Sequence, residues 1–170
     1  MLLRRFFFCE KGAAAAEMAL ITPIAMLLLF TSLEAGHYFY SEHQLVKAVR
    51  DGARFGARHS FDEVNCRSGG TISSDLQTDI RAVALTGALA NGSEERSGWD
   101  ASDVAFSVTV DCPDPSTVPE AESGIYTEDE PAAVIVVTAT IGYNSLFNGL
   151  GVLTDSASLR ATQQATVMGF

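Results

Sequence analysis

The stretch Glu10-Lys11-Gly12-Ala13-Ala14-Ala15-Ala16-Glu17, with the uncharged run Met18–Leu33 behind it, decides how this chain is built. Arg4 and Arg5 precede it, so a short basic leader ends in glycine and a lone carboxylate follows five residues later. Thr22, Pro23, Thr31 and Ser32 are the interruptions of the apolar run. Sixteen residues fall slightly short of a membrane span. Adding Ala13–Ala16 before it and Ala35–Tyr40 after it gives a helix longer than the roughly 30 Å of a hydrocarbon core. Glu17 stands inside that helix, and a carboxylate in lipid is costly enough to demand a function. Arg4, Arg5 and Lys11 set the near end in the cytoplasm, and Tyr38 and Tyr40 suit the far interface. The expected topology is a single span with the N-terminus inside.

Charge divides the chain at the same place. Residues 1–58 carry seven basic and five acidic side chains, a net of +2. Residues 59–170 carry four basic and sixteen acidic ones, a net of −12. The distal part is therefore soluble and acidic, which argues against nucleic acid as a partner. Of the three cysteines, Cys9 lies in the leader, while Cys66 and Cys112 lie in the distal part. If that part is exported to an oxidising compartment, Cys66 and Cys112 can pair, closing a loop of about 45 residues. Such a bridge stabilises by about 3–4 kcal/mol in the chain-entropy description. The alternative is two separate buried thiols.

Other N-terminal signals fit less well. A conventional secretory signal needs small residues after its apolar core, where Ser32-Leu33-Glu34-Ala35-Gly36 places a charge. A lipoprotein signal would put small residues ahead of its cysteine, where Phe6-Phe7-Phe8 stands. A plain uncleaved anchor accounts for the hydrophobicity and leaves the Gly12/Glu17 spacing without a reason.

The basic leader, Gly12, Glu17 and apolar run resemble the class III leader of prepilins and pseudopilins. Beyond the span, Glu34-Ala35-Gly36-His37-Tyr38-Phe39-Tyr40 and Ala48-Val49-Arg50-Asp51-Gly52-Ala53-Arg54-Phe55-Gly56-Ala57-Arg58 look like the corresponding segments of TadE-like proteins. Those are pilin-like components of the tight-adherence (Flp pilus) assembly system. Tyr143-Asn144-Ser145-Leu146-Phe147 is a weaker echo near the other end. Met18, where Phe or Tyr is common, and His37, where Arg is usual, depart mildly from the pattern.

The resemblance implies a leader over residues 1–12, cut by a prepilin peptidase between Gly12 and Ala13. It implies an inner-membrane helix with its periplasmic extension over residues 13–58, and a periplasmic domain over residues 59–170. It further implies work with other pilin-like subunits and the pilus assembly machinery, in surface adhesion or secretion. The new amine on Ala13 and the Glu17 carboxylate could offset each other between neighbouring helices.

Leu45, Ala48, Val49, Gly52, Ala53 and Gly56 keep helical spacing and form one face, small-sided from Ala48 on. Glycine in a helix costs about 0.8–1 kcal/mol, so close packing at Ala48, Gly52 and Gly56 must compensate. Two partners are open: the chain's own sheet, or a helix of another pilin-like subunit. Arg50, Arg54 and Arg58 lie on other faces, for solvent, anionic headgroups or an acidic partner. Glu34 is expected near the outer interface, in reach of water or a partner helix.

In the distal part, Ile72, Leu76, Ile80, Val83, Ala84 and Gly87 predict a second helix, capped by Ser73 or Ser74 and stopped by Asn91-Gly92. Val104–Val110, Ala133–Tyr143 and Leu159–Met168 read as three strands. Between them, residues 113–132 form an acidic, Pro-rich loop. The expected class is α+β: a long transmembrane helix continuing into a small domain with a second helix and an antiparallel sheet of about three strands.

No cofactor, metal site or catalytic grouping is expected. His37, His43 and His59 share no metal spacing with cysteines or carboxylates, and the acidic loop lacks the spacing of an EF-hand. No phosphate loop or Ser/His/Asp set stands out. The rival reading is an uncleaved single-pass protein whose distal domain binds a ligand or the envelope.

Overall fold

A computed structural model of the chain describes residues 10–66, 69–87, 103–113, 126, 132–147 and 157–169, with side chains from residue 14 onward. One helix, α1, runs unbroken over Glu10–Gly56, about 70 Å at 1.5 Å per residue. Pro23 lies inside it. The hydroxyls of its apolar stretch bond backward, Thr22 to Met18 O, Thr31 to Leu27 O and Ser32 to Leu29 O. Self-bonding of this kind lets Ser and Thr sit in an apolar medium.

Residues 14–29 are exposed throughout and include Met18, Leu20, Ile21, Ile24, Leu27 and Leu28. Water does not tolerate such a surface on a soluble domain, and a bilayer does. Among the described residues, the helix first meets the domain at Phe30, whose ring stands 5.0 Å from that of Phe147. Residues 14–33 rise about 30 Å, one hydrocarbon core. The expected outward extension, Ala35–Tyr40, is thus shared with the domain. Tyr38 in particular does not point to an interface but packs edge-on against Tyr143 at 5.2 Å, whereas Tyr40 is exposed.

After α1 come β1 (Val64–Asn65), β2 (Thr71–Ile72), α2 (Ser74–Thr86), β3 (Ala105–Asp111), β4 (Val134–Gly142) and β5 (Ser158–Thr166). β3, β4 and β5 form an antiparallel meander with β4 in the centre. The α+β expectation holds, and the three sheet strands lie within a residue or two of their predicted bounds. β1 and β2 form a separate two-stranded sheet that sequence periodicity could not register.

Alternation in β4 buries Ile135, Val137, Ala139 and Ile141, and β5 adds Leu159 and Ala161 from the same face. These residues share a core with Leu45, Val49 and Ala53 of α1 and with Leu76 and Ile80 of α2. The outer half of α1 is therefore a core element of the domain.

The Ser73 side chain caps α2 by accepting from Leu76 N, and Gly87 closes it with φ +79° and an N–H bond to Val83 O. That cap ends the helix before Asn91-Gly92, the expected stop, which lies outside the described residues. Ile72 belongs to β2 and not to the helix.

Cys66 and Cys112 are joined, with Cα atoms 5.7 Å apart. The bridge ties the β1–β2 hairpin to the end of β3. A Cβ at Gly70 (φ +80°) would stand 2.9 Å from Val110 O, so the turn needs glycine both for its backbone and for its space.

Candidate functional site

On α1, Glu34, Leu45, Gly52 and Gly56 follow one another at 11, 7 and 4 residues, close to whole helical turns. They therefore share the face that meets the domain. Its lower end holds a carboxylate and its upper end holds glycines.

Glu34 is 1% exposed, the one charged side chain among the described residues buried to that degree. Its Oε1 accepts from the Tyr143 hydroxyl at 2.7 Å and from Leu146 N–H at 3.3 Å. Its Oε2 accepts from Phe147 N–H at 3.2 Å. The turn after β4 thus wraps the carboxylate with two backbone donors and a phenol. This arrangement corrects the expectation that Glu34 faces water or a partner helix at the interface. Burying a carboxylate costs several kcal/mol unless donors replace its water, and here the chain's own domain supplies them.

The network continues from the phenol. Tyr143 Oη lies 3.1 Å from His37 Nδ1. A phenol has one proton, and the short bond to Glu34 uses it, so the hydrogen between His37 and Tyr143 belongs to Nδ1. Burial, then the Glu34 hydrogen bond and charge, push the Tyr143 phenol above its usual range. Tyr143 is itself 1% exposed, packed by Tyr38 and His37. Donors from the Tyr143–Phe147 segment, the Ser145 side chain among them, surround the carboxylate and fasten anchor to domain.

Leu146, next to this clamp, is 53% exposed at the level where α1 leaves its bare apolar stretch. A leucine there can rest on the membrane boundary.

At the upper end of the face, Ala48, Gly52 and Gly56 are buried. A Cβ on Gly52 would lie 3.1 Å from Ala84 Cβ and 3.2 Å from Ile80 O. One on Gly56 would lie 2.6 Å from Ile80 Cδ1 and 2.8 Å from Ile135 Cδ1. The close neighbour at Gly52 is thus α2, not the sheet, and at Gly56 it is α2 together with β4. This face is filled from within the chain.

The processing residues fall at the start of α1. Gly12 and Ala13 are helical in backbone. Residues 1–9, including Cys9, and most of the acidic loop 113–132 lie outside the described residues. Glu17 is exposed on the bare stretch of α1 and meets no hydrogen-bond or ionic partner among the described residues. Among the described residues, no group of three or more His, Cys, Asp or Glu gathers to hold a metal ion.

Sequence reasoning noted Glu34 and the Tyr143–Phe147 segment separately and did not join them. The available signal was one buried-type tyrosine ending a strand and one carboxylate at a membrane exit, each in need of a partner.

Residues 12–54 match the family model described as TadE-like protein. The match covers about a quarter of the chain, and it bears out the resemblance read from Glu10 to Arg58. Over that segment the chain is similar to TadE-like protein, and the apolar helix fits a single-pass anchor. Comparison with the curated proteins and with the solved structures returned no match.

Proposed function

We propose that this chain, TadE-like over residues 12–54, is a minor pilin or pseudopilin that works in assembly of Flp-type, tight-adherence pili for surface adhesion or secretion. It sits in the bacterial inner membrane with its N-terminus in the cytoplasm and its domain in the periplasm. A prepilin peptidase removes Met1–Gly12 and leaves Ala13 as the new N-terminus. The protein acts by packing with other pilin-like subunits and not by catalysis.

The family match over residues 12–54 carries this reading. Three features support it. The bare apolar helix over residues 14–29 needs lipid or other helices around it. The Cys66–Cys112 bridge suits an oxidising compartment. The Glu34–Tyr143 clamp fastens the domain to the anchor helix, which links packing of helices in the membrane to the position of the domain outside it.

Intact mass of the chain from cells with and without the peptidase tests the proposal. The expected product lacks Met1–Gly12, and Gly12→Val abolishes that loss. A mature N-terminus at Met1 would overturn the proposal and favour an uncleaved single-pass protein.

A further inference from the structure

The long helix has a second face that the domain leaves unused. His43, Lys47, Arg50, Arg54 and Arg58 are all exposed. They recur at four, three, four and four residues, so they line one ridge opposite Leu45, Val49 and Gly52. Arg58 continues the ridge on the closing turn, where Ala57 N–H still bonds Ala53 O. Arg50, Arg54 and Arg58 form no ion pair with any described residue.

Lipid headgroups are too far away to hold these arginines. From Leu33, at the hydrocarbon edge, to Arg50 the helix rises about 25 Å. Headgroups occupy about 5–7 Å of that, which leaves about two Debye lengths at physiological ionic strength. An acidic protein surface at the same height is the alternative, and the distal part of this chain carries a net of −12.

The fold fixes which carboxylates stand at that height. Met168 N–H donates to Ala57 O at 3.0 Å. Two residues earlier, Thr166 pairs with Val134, and Val134 pairs with Asp111. Asp111 therefore lies at the membrane-distal end of the sheet, level with the last turn of α1. Asp62 lies six residues beyond the end of α1, in the turn that precedes β1. In α2, Ile80 meets both Gly52 and Gly56 while Ala84 meets Gly52. The two helices thus run in opposite senses, and Asp75 stands at the distal end of α2. Asp62, Asp75 and Asp111 are exposed.

Copies anchored in one membrane keep one height and one orientation. A sideways translation then brings the domain of one copy against the bare ridge of the next, with Arg58 level with the aspartates and Arg54 and Arg50 about one and two turns below. We infer that the Arg50–Arg54–Arg58 ridge is a docking surface for the Asp62/Asp75/Asp111 edge of a second copy of this chain. The contact joins different surfaces, so it is head-to-tail and propagates along a row instead of closing in a pair. It rests on the single-pass anchoring proposed above but not on cleavage after Gly12.

The test uses the full chain in vesicles of neutral phosphatidylcholine, with self-association read by energy transfer between labelled copies. Wild type is expected to associate, less so as salt rises. R50E/R54E/R58E and D62K/D75K/D111K should each associate more weakly, on the order of a hundredfold, because like charges then face each other. Mixed together, the two variants should recover association, since the acidic ridge of one meets the basic edge of the other. The neutral set R50Q/R54Q/R58Q should show an intermediate loss. All variants should keep the Cys66–Cys112 bond and stay folded. The charge reversals lower Tm slightly, because Arg54 lies in the last turn of α1 and Asp75 in the first turn of α2, where they complement the helix dipoles, and the neutral set controls for that loss.

Wild-type association by the reversed ridge would overturn the inference, as would a mixture that stays apart. A ridge effect that appears only in vesicles with phosphatidylglycerol would assign the ridge to lipid and overturn it too. The assay runs on the uncut chain, so its failure is separate from failure of the processing proposal.

Discussion

The Tyr143 hydroxyl donates to the Glu34 carboxylate at 2.7 Å, across 109 residues of sequence. This bond fastens the end of the central strand to the point where α1 emerges from its bare stretch. Tyr143→Phe keeps the ring packed against Tyr38 and His37 and removes the donor. The buried carboxylate then keeps two backbone donors and loses its shortest bond, a cost of about 1.5–3 kcal/mol. For a domain of this size Tm should fall by on the order of 10 °C, measured on the full chain in detergent. A double-mutant cycle with Glu34→Gln should show coupling of about 0.5–3 kcal/mol. Simple addition of the two effects would mean that the bond contributes nothing.

The same pair sets the alkaline limit of stability. The phenol of Tyr143 is pushed up in the folded chain, by burial first and by Glu34 second. A group whose folded pKa lies above its unfolded value contributes stability that is full below the unfolded pKa, about 10 for tyrosine. That contribution is lost as pH rises above it. The wild-type domain should therefore hold its Tm up to about pH 10 and lose it beyond, with the last tyrosinate absorbance appearing only as the domain unfolds. In Tyr143→Phe that part of the alkaline loss should vanish.

Gly52 and Gly56 make a separate prediction. Leucine at Gly52 must displace Ala84 and the Ile80 backbone, both close by. Overpacking of this kind costs about 1–3 kcal/mol or more, against a helix-propensity gain of about 1 kcal/mol. Gly52→Leu should thus lower the Tm of the domain. An unchanged Tm together with lost assembly would instead assign this face to a partner helix.

What the sequence allowed one to read follows from range. The anchor, α2 and the strands come from local periodicity: apolar runs, helical spacing from Leu76 to Ala84, and alternation through Ile135, Val137, Ala139 and Ile141. The small-sided face at Ala48, Gly52 and Gly56 was also visible, because glycine in a helix asks for a close neighbour. Which neighbour was not visible: α2 and the sheet compete for the same face, and their docking is a long-range matter. The Glu34 clamp was hidden for the same reason. A carboxylate beside a span reads locally as an interface group, and only the return of the chain at Tyr143–Phe147 turns it inward. The end of α2 was misplaced because Gly87 fits the helical face pattern equally well as a left-handed cap.

The Cys66–Cys112 bridge ties a two-stranded hairpin with little core of its own to β3, at a separation of 46 residues. Cys66→Ser/Cys112→Ser should cost about 3–4 kcal/mol. It should also expose the hairpin to protease before the three-stranded sheet, which keeps its own contacts with α1. Labelling without reductant should find no free thiol at either position. Two reactive thiols in protein from the envelope would refute the bridge.

Glu17 stands apart from everything the domain holds in place. It lies on the exposed apolar stretch of α1, with no partner among the described residues, and in lipid an unpaired carboxylate is costly. Cleavage after Gly12 would create an amine on Ala13, one helical turn away in sequence, on the same chain or on a neighbour. Pairing between neighbours would favour packed helices over isolated ones, which makes Glu17 an assembly residue and not a folding residue. Glu17→Ala should therefore leave the Tm of the domain and the mass of the cleaved product unchanged while reducing pilus formation. Glu17→Gln, which keeps shape and removes charge, should fail in the same way if charge is what matters. Normal piliation in both variants would remove the pairing role and leave the carboxylate without an explanation.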